Sequence, residues 1–454
     1  MPATPPGPST PPPPGSPTAG PTFTPAPYVP GAGAGEDNGS WAKRAGRGEW
    51  ATWWREIDRV LLVLIFALMG IGALAVAAGS PAAVHAPAMA RKGFGDLHFF
   101  YLHIGFQSVG LIAMLVCSRL NREQARRVGI ILGCAMLVAL MLVPMVGANI
   151  NGAKRWLKLG ITIQPSEFLK PAFAICLAWV LSWKLRDGKL PVMMICVGLT
   201  GLVAALLMLQ PDFGSTVLFL LVGFTMLLVA GLPLSPARIG LFAGIGAGVV
   251  ALAYMFYGNA RNRIDDFLLN LSGGGDQYDQ VHLAFRTLVA GGWTGTGLWL
   301  GTQKKSLPEP HTDYIFSVIG EEFGLLMCAV VVLLYFAIVA RVLIRLAQEE
   351  DLFTVLAGTG LVVQIGGQAF INILVNLQLF PSKGMTLPLI SYGGSSTIAL
   401  CMGVGFLLAI TRRNPYLAHD PFQSEGASGG RGLPLHLVSP FSTAYPSKTD
   451  NPRK

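Results

Sequence analysis

Run after run of about twenty apolar residues, each long enough to cross roughly 30 Å of hydrocarbon, leaves this chain one kind of fold. Lipid offers no partner to backbone N–H and C=O groups, so each run must satisfy them internally as a helix. Ten spans are read from the sequence, at 58–79, 98–118, 128–147, 166–185, 191–210, 213–231, 238–257, 314–341, 352–378 and 388–411. Only 13% of the residues are charged and 52% are hydrophobic, whereas a soluble domain carries about 25% charged residues. The expected fold class is all-α. It is a polytopic membrane protein of ten transmembrane helices with a long extracytoplasmic loop, 258–313, between spans seven and eight.

Two polar tails flank the spans. Residues 1–55 open with 13 prolines in the first 30 positions, too little apolar surface to offset the entropy of ordering. This reads as a disordered, Pro-rich cytoplasmic tail, and 414–454 as a second one. The first apolar run begins near Val60, too late for a cleavable signal peptide. The six cysteines, Cys117, Cys134, Cys176, Cys196, Cys328 and Cys401, lie in or beside apolar runs without a CxxC pair. They read as small buried hydrophobes rather than zinc ligands or disulfides.

Basic residues set the orientation. Arg55, Arg59, Arg119, Arg122, Arg126, Arg127, Lys184, Arg186, Lys189, Arg341, Arg345, Arg412 and Arg413 all fall on one side if both tails are cytoplasmic. The net charge of +9 therefore argues for topology and membrane lipids, not for nucleic acid. Two loops on the opposite side break the bias. The 148–164 loop holds Lys154, Arg155 and Lys158 with no acid, and 258–313 holds Arg261, Arg263, Arg286, Lys304 and Lys305. An anionic ligand on the outer face accounts for such charge; lipid phosphate or local pairing with Asp265, Asp266, Asp276, Asp279 and Glu309 is the alternative. Within the long loop, Asp266–Leu269 and His282–Phe285 read as short interfacial helices and Gly291–Gly297 as a flexible glycine turn. No strand precedes those glycines, which excludes a dinucleotide fold. Asp212-Phe213-Gly214 lies between two spans and lacks every companion of a kinase metal motif.

Ionisable residues at membrane boundaries are candidates for function. Asp313 stands in Pro308-Glu309-Pro310-His311-Thr312-Asp313-Tyr314-Ile315-Phe316, where the long loop meets span eight. Its bland alternative, with Thr312, is to cap that helix. His311 is either a proton partner or a solvated loop histidine. Of Glu321 and Glu322, two turns further in, one is expected to face a polar interior. Asn151–Leu157 precedes Gln164-Pro165-Ser166-Glu167-Phe168-Leu169-Lys170, a helix start with Pro at its first position. Glu167 and Lys170 share a face and pair, facing the bundle as structural or substrate-facing groups. The last loop, Phe380–Ser396, supplies glycines and hydroxyls, Ser391 and Ser395 among them, suited to close helix packing or to lining a cavity.

Taken together, NGAKRWL, QPSEFLK, QPDFGS, RNRIDDFL, LPEPHTDYIFSVIGEEFG and GMTLPLISYGGSS resemble the SEDS family (shape, elongation, division and sporulation proteins). The resemblance covers about 56–413, and LPLISYGGSS and QPDFGS are closer to the division branch than to the elongation branch. It implies an enzyme of the cytoplasmic (inner) membrane, at the division septum, that polymerises lipid II into the glycan strand of peptidoglycan. Asp313 matches the family's essential aspartate, Glu167 and Lys170 its buried pair, and Arg155 and Trp156 its basic-aromatic pair. The implied partners are a class B penicillin-binding protein transpeptidase, FtsI-like for this branch, and other division proteins. Tyr314 replaces a common Phe, and 281–300 follows the family pattern only loosely.

The residues suit that chemistry. A hydroxyl of one lipid-linked disaccharide attacks the anomeric carbon of another, and undecaprenyl diphosphate leaves without needing a proton. One base is enough, unlike the two carboxylates of glycoside hydrolysis. Asp313 is the candidate base, or else the ligand of a divalent cation (Mg or Mn) on the diphosphate. The candidate substrate-binding residues are Lys154, Arg155, Trp156, Glu167, Lys170, Lys304, Lys305, His311, Ser391 and Ser395. Two other classes compete: a lipid II flippase using the buried pair, and a non-catalytic scaffold of the division machinery.

Overall fold

The computed structural model describes residues 50–412 apart from 87–88, 90–92, 151–152, 160, 186–189, 272–279, 382–383 and scattered positions between 233 and 257. Residues 1–49, the second tail and most of the seventh expected span therefore lie outside the described residues; 53–55, at the end of the expected first tail, are helical, and Trp53 is buried with its Nε1 donating to Ser118 Oγ at 3.2 Å. The description below concerns the compact unit that begins at Trp53.

Among the described residues, six helices are long and apolar enough to cross a membrane. They are α1 (Arg59–Val84), α2 (His98–Ser118), α3 (Arg122–Val146), α4 (Pro165–Ser182, extended to Leu185 by a 3-10 turn), α9 (Ile315–Leu346) and α10 (Leu352–Asn376). Three shorter apolar helices join them: α5 (Val192–Met208), α6 (Phe213–Val229) and α11 (Ser395–Ile410). Two more helices, α7 (Gly258–Leu271) and α8 (Gln280–Ala290), lie in the long loop where interfacial helices were expected. The protein is thus a helical, polytopic membrane protein. The last span starts at Ser395 rather than 388, because Pro388 and the positive φ of Leu389 (64°) and Gly394 (49°) keep 384–394 irregular.

Small residues bring the helices together, as they do where lipid supplies no hydrophobic drive between helices. Gly110 on α2 abuts Cys401 on α11, Gly405 on α11 abuts Met114 and Cys117 on α2, and Gly133 on α3 abuts Cys176 on α4. Gly360 on α10 lies against Met226 of α6 and Ala174 of α4. All six cysteines are unpaired, and four of them, Cys117, Cys196, Cys328 and Cys401, are buried. Val63, Leu74, Ile112, Ile131 and Phe336 point outward from the spans, as a lipid-facing surface requires.

The 148–164 segment, read as a loop from the sequence, is a three-stranded antiparallel sheet in the order β1 (Ala148–Ile150), β2 (Ala153–Leu159), β3 (Ile161–Ile163). β1 and β2 pair Trp156 with Ala148 and, across a bulge, Lys154 with Asn149; β2 and β3 pair Leu157 with Ile163. Arg155 is the extra residue of that bulge, and Lys154 and Lys158 on either side of it are exposed.

At the opposite end of the bundle, charges tie helices together. Asp58 N-caps α1 through Val60 N (3.1 Å) and Leu61 N (3.2 Å). Its carboxylate also meets Arg341 (2.9 Å) and Arg345 (3.1 Å) near the end of α9. Nearby, Arg412 pairs with Glu56 at 3.0 Å, and Arg122 donates to the Arg412 carbonyl at 3.2 Å. Burial alone would raise the Asp58 pKa. The Arg341 hydrogen bond, the Leu61 amide and the charge of Arg345 outweigh it and hold the carboxyl below its ordinary value. A depressed carboxyl stabilises the fold above the ordinary carboxylate pKa and loses that contribution as pH falls through the lowered value. Replacing Asp58 by Ala removes a cap and strands two guanidinium groups. A loss of about 3 kcal/mol is expected, read as a lower melting temperature in detergent at neutral pH, with the gap to the parent protein narrowing at acid pH.

Candidate functional site

At the Asp313 end, two irregular segments enter the bundle, 291–313 and 384–394. Their backbone must find partners inside the protein, because lipid offers none. α10 provides them. Gln364, Gln368, Asn372 and Asn376 recur every fourth residue and so share one face. Asn372 Nδ2 donates to the carbonyls of Asp313 (2.9 Å) and Met385 (2.6 Å). Gln368 Nε2 donates to the Thr386 carbonyl at 2.9 Å. Asn376 Nδ2 donates to the carbonyl of Asn372 at 2.9 Å and reaches that of Asp313 at 3.4 Å, while its own Oδ1 accepts from Ser317 Oγ at 2.6 Å.

The stripe ends on an ion pair. Lys170 Nζ donates to both Glu167 oxygens at 2.8 Å and to Gln368 Oε1 at 3.2 Å. Ser396 Oγ donates to Glu167 Oε2 at 3.0 Å and lies 3.2 Å from Thr386 Oγ1. Lys170 is 3% exposed and Glu167 9%, so the pair faces the bundle and not lipid. Its ammonium and carboxylate are joined to the 384–396 segment and, through Gln368 and Asn372, to the main chain of Asp313.

Asp313 itself is half-buried, one residue before the helix N-cap, Tyr314. The N-cap position of α9 is taken by Tyr314, whose side chain makes no capping hydrogen bond. A methyl group placed on Gly384 would sit 3.4 Å from Asp313 Oδ2, and Gly384 has φ +62°, a conformation that glycine adopts without strain. The carboxylate thus lies against bare backbone. His311 is buried, its ring tilted against Phe99 with centroids 4.1 Å apart and 5.4 Å from Tyr392, with its Nδ1 unpartnered among the described residues. Burial, with His103 nearby, pushes its imidazole down to about 4. At neutral pH it carries no charge to offer an anion. The His311 carbonyl accepts from Tyr392 N at 3.0 Å, fastening this corner to the last loop.

The other residues singled out from the sequence are dispersed. Lys154, Lys158 and Lys305 are exposed, and Trp156 is half-buried. Arg155 turns inward, donating to the carbonyls of Gln210 (3.1 Å) and Pro211 and lying 3.9 Å from Asp212. It ties the sheet to the α5–α6 turn. Lys304 is 2% exposed and is bound to Glu322 and the Ala78 carbonyl, so it does not face an open surface. Both glutamates are buried, Glu321 as well as Glu322, where one was expected. Ser391 is buried and accepts from Leu387 N at 2.8 Å, which closes an internal turn. Ser396, not Ser395, reaches the ion pair.

Sequence reading missed Gln368, Asn372, Asn376 and Thr386. Their signal was present: amides repeating at i, i+4 in an otherwise apolar span must face something polar. Among the described residues, no group of three or more His, Cys, Asp or Glu converges as a metal site.

Comparison with known proteins identifies the family of the chain. The family model for FtsW/RodA/SpoVE cell cycle proteins matches residues 59–416. A probable peptidoglycan glycosyltransferase FtsW of Caulobacter vibrioides is 36% identical over 390 residues, covering 84% of this chain and 94% of its own length. The protein of the same name from Thioalkalivibrio sulfidiphilus is 34% identical over 395 residues, covering 83% and 94%. A chain solved in work on "structural coordination of polymerization and crosslinking by a peptidoglycan synthase complex" superposes with a TM-score of 0.63 at 28% identity, covering 78% of this chain and 97% of that one. The rod shape determining protein RodA of Thermus thermophilus gives 0.57 at 26% identity, covering 79% and 97%. With its motifs, its helical bundle and a match that spans nearly all of the membrane portion, the chain belongs to the FtsW/RodA/SpoVE family of cell cycle proteins.

Proposed function

We propose that this chain is a peptidoglycan glycosyltransferase that polymerises lipid II on the outer face of the cytoplasmic membrane, with Asp313 as the general base. The observation that carries this reading is the placement of Asp313. It is half-buried beside the bare backbone of Gly384, and its own carbonyl is fixed by Asn372 and Asn376. A base must be held within hydrogen-bond reach of the proton it takes, and here the main chain that carries it is anchored from α10. The acceptor hydroxyl attacks the anomeric carbon of the donor, its proton passes to the Asp313 carboxylate, and the bond to undecaprenyl diphosphate breaks with the electron pair leaving on the diphosphate.

Counter-charge for the departing diphosphate falls to exposed cations. Lys154 and Lys305 remain accessible, whereas Lys304 and Arg155 are engaged in the protein and His311 is neutral. A divalent cation, Mg or Mn, would supply the same neutralisation. The described residues fit it only as a site completed by substrate: Asp313 from the chain and oxygens from the diphosphate, a division usual for Mg²⁺. Relatives named FtsW, and a similar chain from a polymerising and crosslinking synthase complex, support a role in septal wall synthesis beside an FtsI-like transpeptidase and other division proteins; the basic residues that share one side of the spans support cytoplasmic termini.

The polar stripe on α10 and the Glu167–Lys170 pair favour one second reading, a lipid II flippase. The two part at Asp313. Purified Asp313→Asn, assayed with its transpeptidase partner and lipid II, is expected to lose at least about 100-fold in polymer formed, the usual scale for removing a general base. Unchanged polymer yield would remove Asp313 from the mechanism, and lipid II flipping in liposomes abolished by Glu167→Gln but untouched by Asp313→Asn would favour the second reading.

The ion pair gives a separate expectation. Lys170→Met leaves a buried carboxylate without its ammonium and should destabilise the protein by about 3 kcal/mol. Adding Glu167→Leu removes the stranded charge and should recover much of that loss in a thermal melt. Recovery of stability without recovery of polymerisation would assign the pair to substrate as well as to support.

A further inference from the structure

The long loop returns into the bundle through a break in α9. Gly324 has φ 84° and ψ 172°, which splits that helix after Phe323. The carbonyls freed by the break do not go unpaired. Thr296 N donates to the Glu321 carbonyl at 2.8 Å and Gly297 N to that of Glu322 at 3.0 Å, and Leu325 N donates back to the Gly292 carbonyl at 2.9 Å. The turn can come this close because its residues are small: a methyl on Gly291 or Gly324 would collide with the backbone opposite.

Just beyond the turn, two carboxylates take hold of the chain. Glu321 accepts from Gln303 N at 2.7 Å and Lys304 N at 2.9 Å. Glu322 accepts from Trp299 N and from Gly301 N at 3.3 Å, and pairs with the Lys304 ammonium. Lys304 Nζ also donates to the Ala78 carbonyl of α1 at 2.9 Å. Both glutamates are 1% exposed. Four main-chain N–H groups and one ammonium thus converge on two adjacent anions. Carboxylates only accept hydrogen bonds, so they match this ring of donors; a glutamine would turn a donor of its own toward it.

From Lys304 the chain runs through buried Leu307, packed with Tyr314, Ala284 and Val375, to Asp313. The arm 304–313 is therefore fixed at both ends, by the carboxylate clamp at one and by Asn372 and Asn376 at the other. We propose that Glu321, Glu322 and Lys304 form a buried charge clamp that positions the arm carrying Asp313, and that they are positioning residues for glycan transfer. This rests on the reading of Asp313 as the base. The clamp sits at the depth of the helix break, so α1 and the first half of α9 set where the carboxylate stands.

The test uses the full chain with its transpeptidase partner, supplied with lipid II. Glu322→Gln and Lys304→Met are each expected to lower kcat at least tenfold with KM unchanged within threefold. Hydrogen exchange across 299–313 should quicken in both. The double variant, Lys304→Met with Glu322→Gln, removes the stranded charge and should regain folding stability, but not kcat or slow exchange, because the clamp itself is gone. Asp313→Asn, measured alongside, should be inactive with exchange across 299–313 unchanged. An active Asp313→Asn overturns the reading of the base. With Asp313→Asn inactive, the clamp is overturned if either single variant keeps its kcat, if activity falls only in proportion to folded protein, or if the double variant recovers the parent's kcat.

Discussion

Irregular backbone inside a membrane bundle is the constraint on which the rest of this structure depends. Each unpaired amide or carbonyl held away from water costs several kcal/mol, yet a site that acts on polar substrate needs main chain that is not locked in a helix. The protein meets both demands with amide side chains. Gln368, Asn372 and Asn376 sit on one stripe of α10 and donate to the carbonyls of Asp313, Met385 and Thr386. Those donors replace the helical partners that the two inserted segments lack. Without the stripe, neither the arm bearing Asp313 nor the 384–394 segment beside it has a reason to stay in the bundle.

Buried charge follows the same logic. Asp58, Glu167 and Glu322 are buried, and each faces a cation: Arg341 and Arg345, Lys170, and Lys304. Pairs of this kind contribute little net stability against apolar replacements, but breaking one by removing a single partner is expensive. Their value lies in specifying which segments meet. Asp58 joins the start of α1 to α9, the Glu167–Lys170 pair joins α4 to α10 and α11, and Glu321 and Glu322 join α9 to the loop. Asp313 differs from them in being half-buried, as a group that must exchange a proton with substrate has to be.

Much of this was legible in the residues. Span length and composition identified the bundle, and Pro165 with Glu167 and Lys170 announced a helix start with an inward ion pair. Three things were not legible. The sheet at 148–163 is too short and too basic for alternation to stand out, and its strands are three, seven and three residues. The fate of Lys304 was hidden because a lysine beside Lys305 in a polar loop looks solvated, and only the fold brings Glu322 to it from across a helix break. The start of α11 was misplaced because apolar residues fill 387–390 as they would a helix, although here they line an irregular turn buried against Gly72 of α1. Hydrophobicity reports burial in a bundle; it does not report whether the buried backbone is helical.

That distinction bears on how a site of this kind is built. A helix offers side chains at fixed spacing but no free main chain, and an exposed loop offers free main chain without fixed geometry. Here the loop is drawn into the bundle and fastened by groups whose positions the helices set. Gly324 breaks α9 where the glycine turn enters, and the glutamates just before the break bind the segment that follows the turn. The asparagines then take the far end of the arm. An acid placed between two such anchors acquires the precision of a helix position while its carboxylate lies beside a neighbouring glycine. The positive φ at Gly384 matters for that reason: a side chain there would be strained and its Cβ would press to 3.4 Å on Asp313 Oδ2, so the bare backbone is as much a part of the site as the carboxylate.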